Sequence, residues 1–534
     1  MLSPAAGRKG PPQPALYCGK RKNRVFRTGG VKMFVGQQLK WHAIHQPDHI
    51  ITSYRGKKTT YAQFYRQSVN VAAFFQKKGY NKGDMIALFL HNSDALLIAY
   101  YACQLGGFTA MPVNTKLAPP EVQYIFQHSE AKALIYDSHL LHILHEIPRE
   151  FHQFQDRLVV GGEDTFRAVA GENTDAFMTP QIEADDTAVV FYTSGTTGRP
   201  KGVMLSAANV RAAAQIWSEA MDLSREDRVH IVTPLFHCAA CHVFSIPSIY
   251  RGGTMIIEEQ FSPEKTLETM EKEKVTVFFG VPAMYSILLN TPKMAQVDLS
   301  YLRLFCYGAS PMPYERVRQL KTRFPKVKVQ NLYGQTENAP AASTLTDRFA
   351  LEKAGSVGKA LPQTEIQVVD AGGSPVPAGE VGEIIVKGPQ VMKGYLKNEE
   401  ETRRVLQNGW LYSGDLGRFD EAGFLYLVDR KKDMLIRGGE NVYPVEVEEV
   451  LYEMPEILEA AVVGIPHEIY GEVPKAYIVV KKGETLTEEK VLAHCSGKLA
   501  KYKWPAEMEF LQALPRNASG KVLKHVLRKQ ISGV

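Results

Sequence analysis

Tyr192-Thr193-Ser194-Gly195-Thr196-Thr197-Gly198-Arg199-Pro200-Lys201-Gly202 is the most informative stretch of this 534-residue chain. It follows the apolar, β-branched run 187–192, which predicts a buried strand. Its three glycines let the backbone turn tightly and approach an anion. The hydroxyls and N–H groups between them are donors for phosphate oxygens. The stretch predicts a nucleotide-phosphate loop; it is not a Walker A loop, because Gly202 follows Lys201. The alternative is a Gly/Thr-rich surface turn.

The charge of the chain is concentrated at its N-terminus. The formal net charge is +6, and residues 1–32 hold eight lysines and arginines and no acid. The remainder therefore carries a net charge of about −2, so it lacks the excess of positive charge that is typical of nucleic-acid-binding proteins. The basic segment is rich in Pro and Gly and lacks apolar periodicity, so we expect it to be disordered. It is either a mitochondrial transit peptide or the product of a misplaced start, and we favour a true start at Met33.

No stretch of the sequence predicts a secretion signal or a membrane span, since the longest apolar run, 95–113, is broken by Gly and Pro. The six cysteines are sparse and irregular, which suits a reducing cytoplasm. Cys238 and Cys241, each beside a histidine, could indicate a redox or zinc site, but their apolar surroundings favour a pocket wall. We expect a cytoplasmic enzyme.

The order of strand-like and helix-like segments predicts the fold class. From Met33 to about residue 429 strands alternate with helices, as in Met85–Leu90, Asp94–Leu105 and Ala133–Tyr136, which is typical of α/β sheets. From Glu365 to Gly394 short strands with Gly/Pro turns predict a small β subdomain. We predict α/β domains: residues 1–32 as an extension, 33–431 as a large domain of two βα subdomains plus a small β-barrel, and 432–534 as a smaller α+β domain on a hinge.

Three further motifs carry residues suited to nucleotide chemistry. In 331–337, Tyr333 offers an aromatic face, Gly334 a turn, and Thr336 and Glu337 are oxygen ligands suited to Mg²⁺ on a triphosphate. The run 410–415 ends in Asp415, which can accept from both ribose hydroxyls. A Gly-flanked lysine, Lys521, lies near the C-terminus. A charged run, 429–433, marks the start of the predicted C-terminal domain.

With these residues in order, the chain resembles the adenylate-forming superfamily of acyl-CoA synthetases, adenylation domains and luciferases, from about Leu39 to Arg528. In style it is closest to bacterial fatty acid–CoA ligases. It departs from the family at Ser206-Ala207-Ala208-Asn209, where the common pattern is Ser-His-x-Asn. The resemblance implies two steps: a carboxylate attacks the α-phosphorus of MgATP to give an acyl-adenylate, and the thiol of coenzyme A then displaces AMP.

The resemblance also implies roles for individual residues. The catalytic residues are Lys521, Glu337 and Thr193, and the metal ligands are Thr336 and Glu337. Lys432 is the hinge. The ATP site comprises Thr193, Ser194, Gly195, Thr196, Thr197, Gly198, Lys201, Gly308, Ala309, Ser310, Tyr333, Gly334, Thr336, Asp415, Arg430 and Lys521. The acyl pocket comprises His237, Val281 and Gly308, and the coenzyme A tunnel comprises Gly438, Gly439 and Glu440.

The substrate is less constrained by the sequence. No acid occurs between Ile231 and Tyr250, which disfavours an amino acid. The small residues Ala239, Ala240 and Ala283 favour medium- or long-chain fatty acids over aromatic acids. A luciferase-type oxidase and a carrier-loading adenylation module are the alternatives of other classes. A homodimer and contact with a membrane surface are further expectations.

Overall fold

The computed structural model describes residues 33–151, 154–172, 176–193, 199–310, 312–431, 433–438, 440–516 and 522–529. The predictions for the basic N-terminal segment 1–32 therefore lie outside the described residues. None of the helices in these ranges combines the length and apolarity needed to cross a membrane.

Helices and strands alternate along most of the described chain, as the sequence predicts. The α-helices are α1 (Val35–His45), α2 (Tyr61–Lys77), α3 (Asp94–Gly106), α4 (Pro119–Ser129), α5 (Leu141–Glu146), α6 (Thr165–Gly171), α7 (Ala207–Ala220), α8 (Ile246–Arg251), α9 (Pro263–Lys272), α10 (Pro282–Asn290), α11 (Tyr314–Arg323), α12 (Glu399–Val405), α13 (Pro444–Tyr452), α14 (Glu488–Ser496) and α15 (Lys524–Lys529). The strands are β1 (Ile50–Tyr54), β2 (Lys57–Thr60), β3 (Met85–Phe89), β4 (Thr109–Pro112), β5 (Ala133–Asp137), β6 (Asp156–Val160), β7 (Thr187–Thr193), β8 (Lys201–Ser206), β9 (Arg228–Ile231), β10 (Thr254–Ile257), β11 (Val277–Gly280), β12 (Leu304–Gly308), β13 (Lys328–Tyr333), β14 (Ser343–Leu345), β15 (Ser356–Ala360), β16 (Glu365–Val369), β17 (Gly382–Lys387), β18 (Gly394–Tyr395), β19 (Leu406–Gln407), β20 (Trp410–Phe419), β21 (Leu425–Arg430), β22 (Leu435–Arg437), β23 (Glu440–Val442), β24 (Ile457–His467), β25 (Gly471–Val480) and β26 (Glu507–Phe510).

The described strands form three sheets. The first has 14 strands in the order β16-β17-β20-β21-β15-β14-β13-β12-β11-β9-β10-β1-β2, with β19 on β20. The second has seven, ordered β18-β8-β7-β4-β3-β5-β6, and the third has five, ordered β23-β22-β25-β24 with β26 on β25. Strands β13, β12, β11, β9 and β10 are parallel, so their carboxyl ends meet at one edge of the first sheet.

The main hydrophobic core lies between the first and second sheets. One buried cluster combines Ile51 of β1 and Val229 of β9 with Leu88 of β3 and Val189 of β7. Helix α3 belongs to this cluster, and its residues other than Gln104 are all buried. That position explains why the helix is apolar on every face.

The predicted small β subdomain is an antiparallel extension of the first sheet. Strands β15, β16, β17, β20 and β21 pair antiparallel with one another, and β14 joins them to β13. The third sheet is built entirely from strands that follow residue 434. The α/β class with a large N-terminal and a smaller C-terminal part is therefore confirmed; the boundaries 33–431 and 432–534 stay predictions.

Candidate active site

The predicted site residues of the first sheet lie at the carboxyl ends of adjacent parallel strands. His237 follows β9, Val281 follows β11, Gly308 ends β12, and Tyr333 ends β13. Because β9, β11, β12 and β13 are neighbours in the sheet, their exit loops share one edge, where ligands of open α/β sheets bind. Residues spread over about a hundred positions of sequence thus meet at one place.

The turn after β13 is fixed by close backbone packing. A Cβ added at Gly334 would lie 2.2 Å from the carbonyl carbon of Pro340, so only glycine fits there without a shift. The next residues form a 3-10 turn, Thr336–Asn338, and the Asn338 side chain accepts the Gln335 N–H at 2.8 Å. This turn holds Thr336 and Glu337 in one orientation relative to Tyr333.

Asp415 is the centre of a buried hydrogen-bond network. Its Oδ2 accepts the Tyr333 hydroxyl at 2.7 Å and the Gln335 side-chain amide at 2.6 Å. Its Oδ1 lies 2.5 Å from Nε of Arg430, which stands opposite Asp415 in the β20–β21 register. The structure therefore brings together three predicted adenosine ligands, Tyr333, Asp415 and Arg430.

The charges in this network stabilise each other. Asp415 is 5% exposed, and it raises the pKa of Arg430 above its ordinary value against the opposing effect of burial. Burial, followed by the neighbouring Asp415, raises the pKa of Tyr333 well above its usual range. At neutral pH the phenol is therefore a hydrogen-bond donor to a carboxylate that is also paired with a guanidinium.

A second network lies around Glu337. Its Oε1 accepts the Tyr395 hydroxyl at 2.9 Å. The Nζ of Lys201 lies 5.2 Å from the centroid of the Tyr395 ring and forms an ion pair with Glu401 of α12. Among the described residues Tyr395 is the one donor to the Glu337 carboxylate, which leaves Oε2 available. A carboxylate oxygen and the hydroxyl of the preceding residue, Thr336, are hard donors of the kind that Mg²⁺ prefers.

The predicted phosphate loop begins and ends on paired strands. Thr193 of β7 stands opposite Lys201 of β8 in an antiparallel hairpin. The loop residues between them that carry the phosphate prediction, Ser194, Gly195, Thr196, Thr197 and Gly198, lie outside the described residues. Next to the loop, the Tyr192 hydroxyl is 2.8 Å from Nδ1 of His128 on α4.

Two residues of the motif 206–209, which departs from the family pattern, have a structural role at the start of α7. Ser206 caps α7: its hydroxyl accepts the Asn209 N–H at 3.1 Å, and the Asn209 side chain accepts the Ser206 N–H at 2.8 Å. The Asn209 amide also donates to the Pro389 carbonyl at 2.8 Å. Ser206 and Asn209 thus form a capping box that does not need the missing histidine.

The wall predicted for the acyl pocket is uncharged. Burial, followed by the charge of Lys116, lowers the pKa of His237 to about 4, so its imidazole is neutral at physiological pH. The chain then continues as a π-helical segment, Ala239–Ser245, in which Cys241 is buried. Ala283, which we expected in this pocket, is exposed, because it lies on the outer side of α10.

The predicted C-terminal site residues are only partly described. Gly438 has φ +58 in the β22–β23 hairpin, a left-handed conformation that favours glycine, and its N–H donates to Tyr470 at 2.8 Å. Glu440 begins β23 and is exposed. Gly439, Lys432 and Lys521 lie outside the described residues, so the tunnel, hinge and catalytic lysine stay predictions.

Sequence reasoning missed three residues of the networks described above. Gln335 lies inside the motif 331–337 without a predicted role, and no motif in the sequence points to Tyr395 or Glu401. Tyr395 lies on a two-residue strand, too short to leave a periodic signal. The presence of another acid near the predicted phosphate-loop lysine could only be read from the structure.

Comparison with known proteins agrees with this geometry. The AMP-binding enzyme family matches residues 39–396, and the AMP-binding enzyme C-terminal domain matches residues 446–521. Feruloyl-CoA synthase from Amycolatopsis sp. is 37% identical over 478 residues, covering 89% of this chain and 94% of that protein. Long-chain fatty acid–CoA ligase FadD13 of Mycobacterium tuberculosis is 35% identical over 481 residues, covering 89% and 93%.

The similarity extends to solved structures. Bacillus subtilis o-succinylbenzoate coenzyme A synthetase (MenE), in complex with ATP and magnesium ion, aligns with a TM-score of 0.82 at 33% identity, covering 93% of this chain and 99% of that chain. The chain therefore belongs to the AMP-binding enzyme family, among its acyl-CoA synthetases. The predicted class, an ATP-dependent acid–CoA ligase, is confirmed.

Proposed function

We propose that this ligase activates a medium- or long-chain fatty acid with MgATP and transfers the acyl group to coenzyme A. The observation that supports an acid with an uncharged, apolar body over an amino acid or a dicarboxylic acid is the absence of charge along the predicted acyl wall. No Asp, Glu, Lys or Arg occurs between Ile231 and Tyr250, and His237 is neutral at pH 7. Such a wall has no partner for an α-amine or a second carboxylate, which would be costly to bury unpaired.

The described residues support a division of labour at the nucleotide. Tyr333, Asp415 and Arg430 form a preorganised surface for adenosine, and Asp415 offers its carboxylate to the ribose hydroxyls. Glu337 and Thr336 would hold Mg²⁺, which neutralises phosphate charge when bound. The exit loops at Gly308, Ala309 and Ser310 border both the adenine and the acyl side.

In the first step, an oxygen of the substrate carboxylate attacks the α-phosphorus and the bond to pyrophosphate breaks. Lys201 and Thr193, with the loop between them, orient the β- and γ-phosphates, and Lys521 faces the charge that builds at the α-phosphate. In the second step, the coenzyme A sulfur attacks the acyl carbon and AMP leaves. Rotation about Lys432 would exchange Lys521 for the tunnel loop of Gly438, Gly439 and Glu440.

An aromatic acid is the second candidate, because feruloyl-CoA synthase is as similar to this chain as the fatty acid ligase is. A neutral, apolar wall accepts either kind of acid. A homodimer, contact with a membrane surface and a cytoplasmic location stay predictions from the sequence.

The test is AMP release with a panel of acids: octanoate, palmitate, ferulate, 2-succinylbenzoate and an apolar amino acid, each with and without coenzyme A. We expect kcat/KM to be highest for a fatty acid, by roughly tenfold or more, as apolar burial of several methylenes implies. Acyl-CoA should form in proportion to AMP. A preference for ferulate would replace the fatty acid by the aromatic class, and turnover that needs oxygen or a carrier protein instead of coenzyme A would overturn the proposal.

A further inference from the structure

Residues 392–396, here called the strap, connect the turn that carries Glu337 to the phosphate-loop hairpin. At one end, the Met392 N–H donates to the Glu337 carbonyl at 2.8 Å. At the other, the Leu396 N–H donates to the Gly202 carbonyl at 2.7 Å. The strap therefore joins the first sheet to the second at the place where the predicted metal and phosphate ligands meet.

Tyr395 repeats this connection with its side chain. Its hydroxyl donates to Oε1 of Glu337 at 2.9 Å, and its ring faces Nζ of Lys201 at 5.2 Å from the centroid. A cation over an aromatic face is attracted to the ring, so one side chain contacts a predicted metal ligand and a predicted phosphate ligand. Tyr395 is 7% exposed.

The position of Tyr395 is itself strongly determined. Its N–H donates to the Thr402 hydroxyl at 2.9 Å. The preceding Gly394 has φ +150, and a Cβ there would lie 2.6 Å from Cγ2 of Thr402. A hydroxyl whose place is fixed in this way can orient the carboxylate to which it donates.

We propose that Tyr395 is a positioning residue that orients the Glu337 carboxylate for the metal of MgATP and ties that orientation to the phosphate-loop lysine. The inference rests on the proposed metal role of Glu337. Tyr395 acts on one oxygen, Oε1, and thereby leaves Oε2 directed away from it. Without the hydroxyl, the carboxylate is free to turn, and the Mg²⁺-dependent part of ATP binding weakens.

The test measures the affinity for ATP by calorimetry, once with Mg²⁺ and once with EDTA, for the wild type and for Tyr395→Phe. This substitution removes the hydroxyl and keeps the ring below Lys201. We expect the ratio of the two affinities to fall roughly tenfold or more, the scale of one hydrogen bond to a charged group. The affinity in EDTA should stay within about twofold of the wild type. The melting temperature should fall by about as much as in the control variant described next.

Tyr61→Phe is the matched control, because it removes another buried hydroxyl, which donates to the Gly253 carbonyl at 2.8 Å. It should cost a similar amount of thermal stability without changing the Mg²⁺-dependent ratio. The inference is wrong if Tyr395→Phe keeps the wild-type ratio, or if it weakens ATP binding equally with Mg²⁺ and with EDTA.

Glu337→Gln separates this inference from the proposed function. If Glu337 is a metal ligand, Mg²⁺ strengthens ATP binding much less in this variant, so the ratio of the affinity with Mg²⁺ to the affinity with EDTA falls. Adding Tyr395→Phe then has no further effect on that ratio. A normal ratio in Glu337→Gln would remove Glu337 from the metal site and the proposed metal role with it. Loss of the ratio in Glu337→Gln but not in Tyr395→Phe would overturn only the role of Tyr395.

Discussion

Two buried aspartates on neighbouring antiparallel strands of the first sheet, Asp415 on β20 and Asp429 on β21, have different partners. Asp415 contacts the Arg430 guanidinium directly and accepts from two further side chains. Asp429, one strand away, accepts the N–H groups of Arg430 at 2.6 Å and Val445 at 3.1 Å. Burial raises the pKa of Asp429 to about 6, against the lowering effect of the Lys524 charge. Asp415 thus has a direct cationic partner, whereas ionised Asp429 is buried without one in contact among the described residues.

This difference predicts how Asp429 affects stability. A carboxyl whose pKa is higher in the folded than in the unfolded protein makes folding less favourable as the pH rises between the two values. From about pH 4 to about pH 6 the cost of ionised Asp429 should grow to about 3 kcal/mol. Asp429→Asn removes this cost, so the variant should gain stability relative to the wild type at pH 7.5 but not at pH 4, measured by urea unfolding at both values.

Asp420→Asn is the control with the opposite sign. Hydrogen bonding to Lys353 lowers the pKa of Asp420 despite the opposing effect of desolvation, and the two side chains are 2.9 Å apart. Removing that charge should therefore lose stability at neutral pH relative to acid pH. If Asp429→Asn also loses stability at neutral pH relative to acid pH, as Asp420→Asn should, the burial of Asp429 does not raise its pKa as described.

At the scale of elements, the site depends on a short turn whose backbone packs closely against neighbouring backbone. The turn after β13 places Glu337, and Gly334 begins it. A methyl group at Gly334 would collide with the backbone of Pro340 rather than with a side chain that could rotate away. Because a backbone collision is relieved only by moving the turn, the consequence should appear at Glu337.

Gly334→Ala should therefore weaken MgATP binding by roughly tenfold and lower stability by about 1–3 kcal/mol, as overpacking does. The measurements are MgATP affinity by calorimetry and urea unfolding. Gly171→Ala is the control, because a Cβ at Gly171 meets no atom within 4 Å. Normal MgATP affinity in Gly334→Ala would show that the turn tolerates displacement and does not position Glu337.

Several elements could be predicted closely because their ends carry local signals. Helix α3 was expected over 94–105 and runs Asp94–Gly106, since the Ser93 hydroxyl caps its start and Gly107, with φ +73, ends it. Strand β5 is predicted over 133–136 and runs Ala133–Asp137, one residue further. Local patterns fix the type of an element better than its exact ends.

The site was predictable as a set of motifs but not as a set of contacts. Tyr333 and Asp415 were each quoted from the sequence, yet their hydrogen bond joins residues 82 positions apart. It depends on the antiparallel strands that extend the first sheet, whose order has no local signature. Tyr395 was missed for the same reason: its importance comes from its neighbours in space, Glu337 and Lys201.

At the scale of the whole molecule, the fold places two kinds of ligand on two sheets. The predicted adenosine residues Tyr333, Asp415 and Arg430 lie on strands β13, β20 and β21 of the first sheet, and the predicted metal ligands lie on the turn that follows β13. The predicted phosphate-loop hairpin belongs to the second sheet. The strap, residues 392–396, joins them through backbone and side chain. We propose that this composite site makes an acyl-adenylate, with the substrate carboxylate as the nucleophile at the α-phosphorus.

Isotope transfer from the acid to AMP tests that claim most directly. The enzyme would turn over a fatty acid labelled with ¹⁸O in both carboxylate oxygens, in the presence of MgATP and coenzyme A, and the products would be separated by mass spectrometry. One ¹⁸O atom should appear in each AMP formed, and none in pyrophosphate, because the attacking oxygen stays on the α-phosphorus when the thioester forms. Label in inorganic phosphate with formation of ADP, or AMP without label, would contradict an acyl-adenylate and with it the assignment of the site.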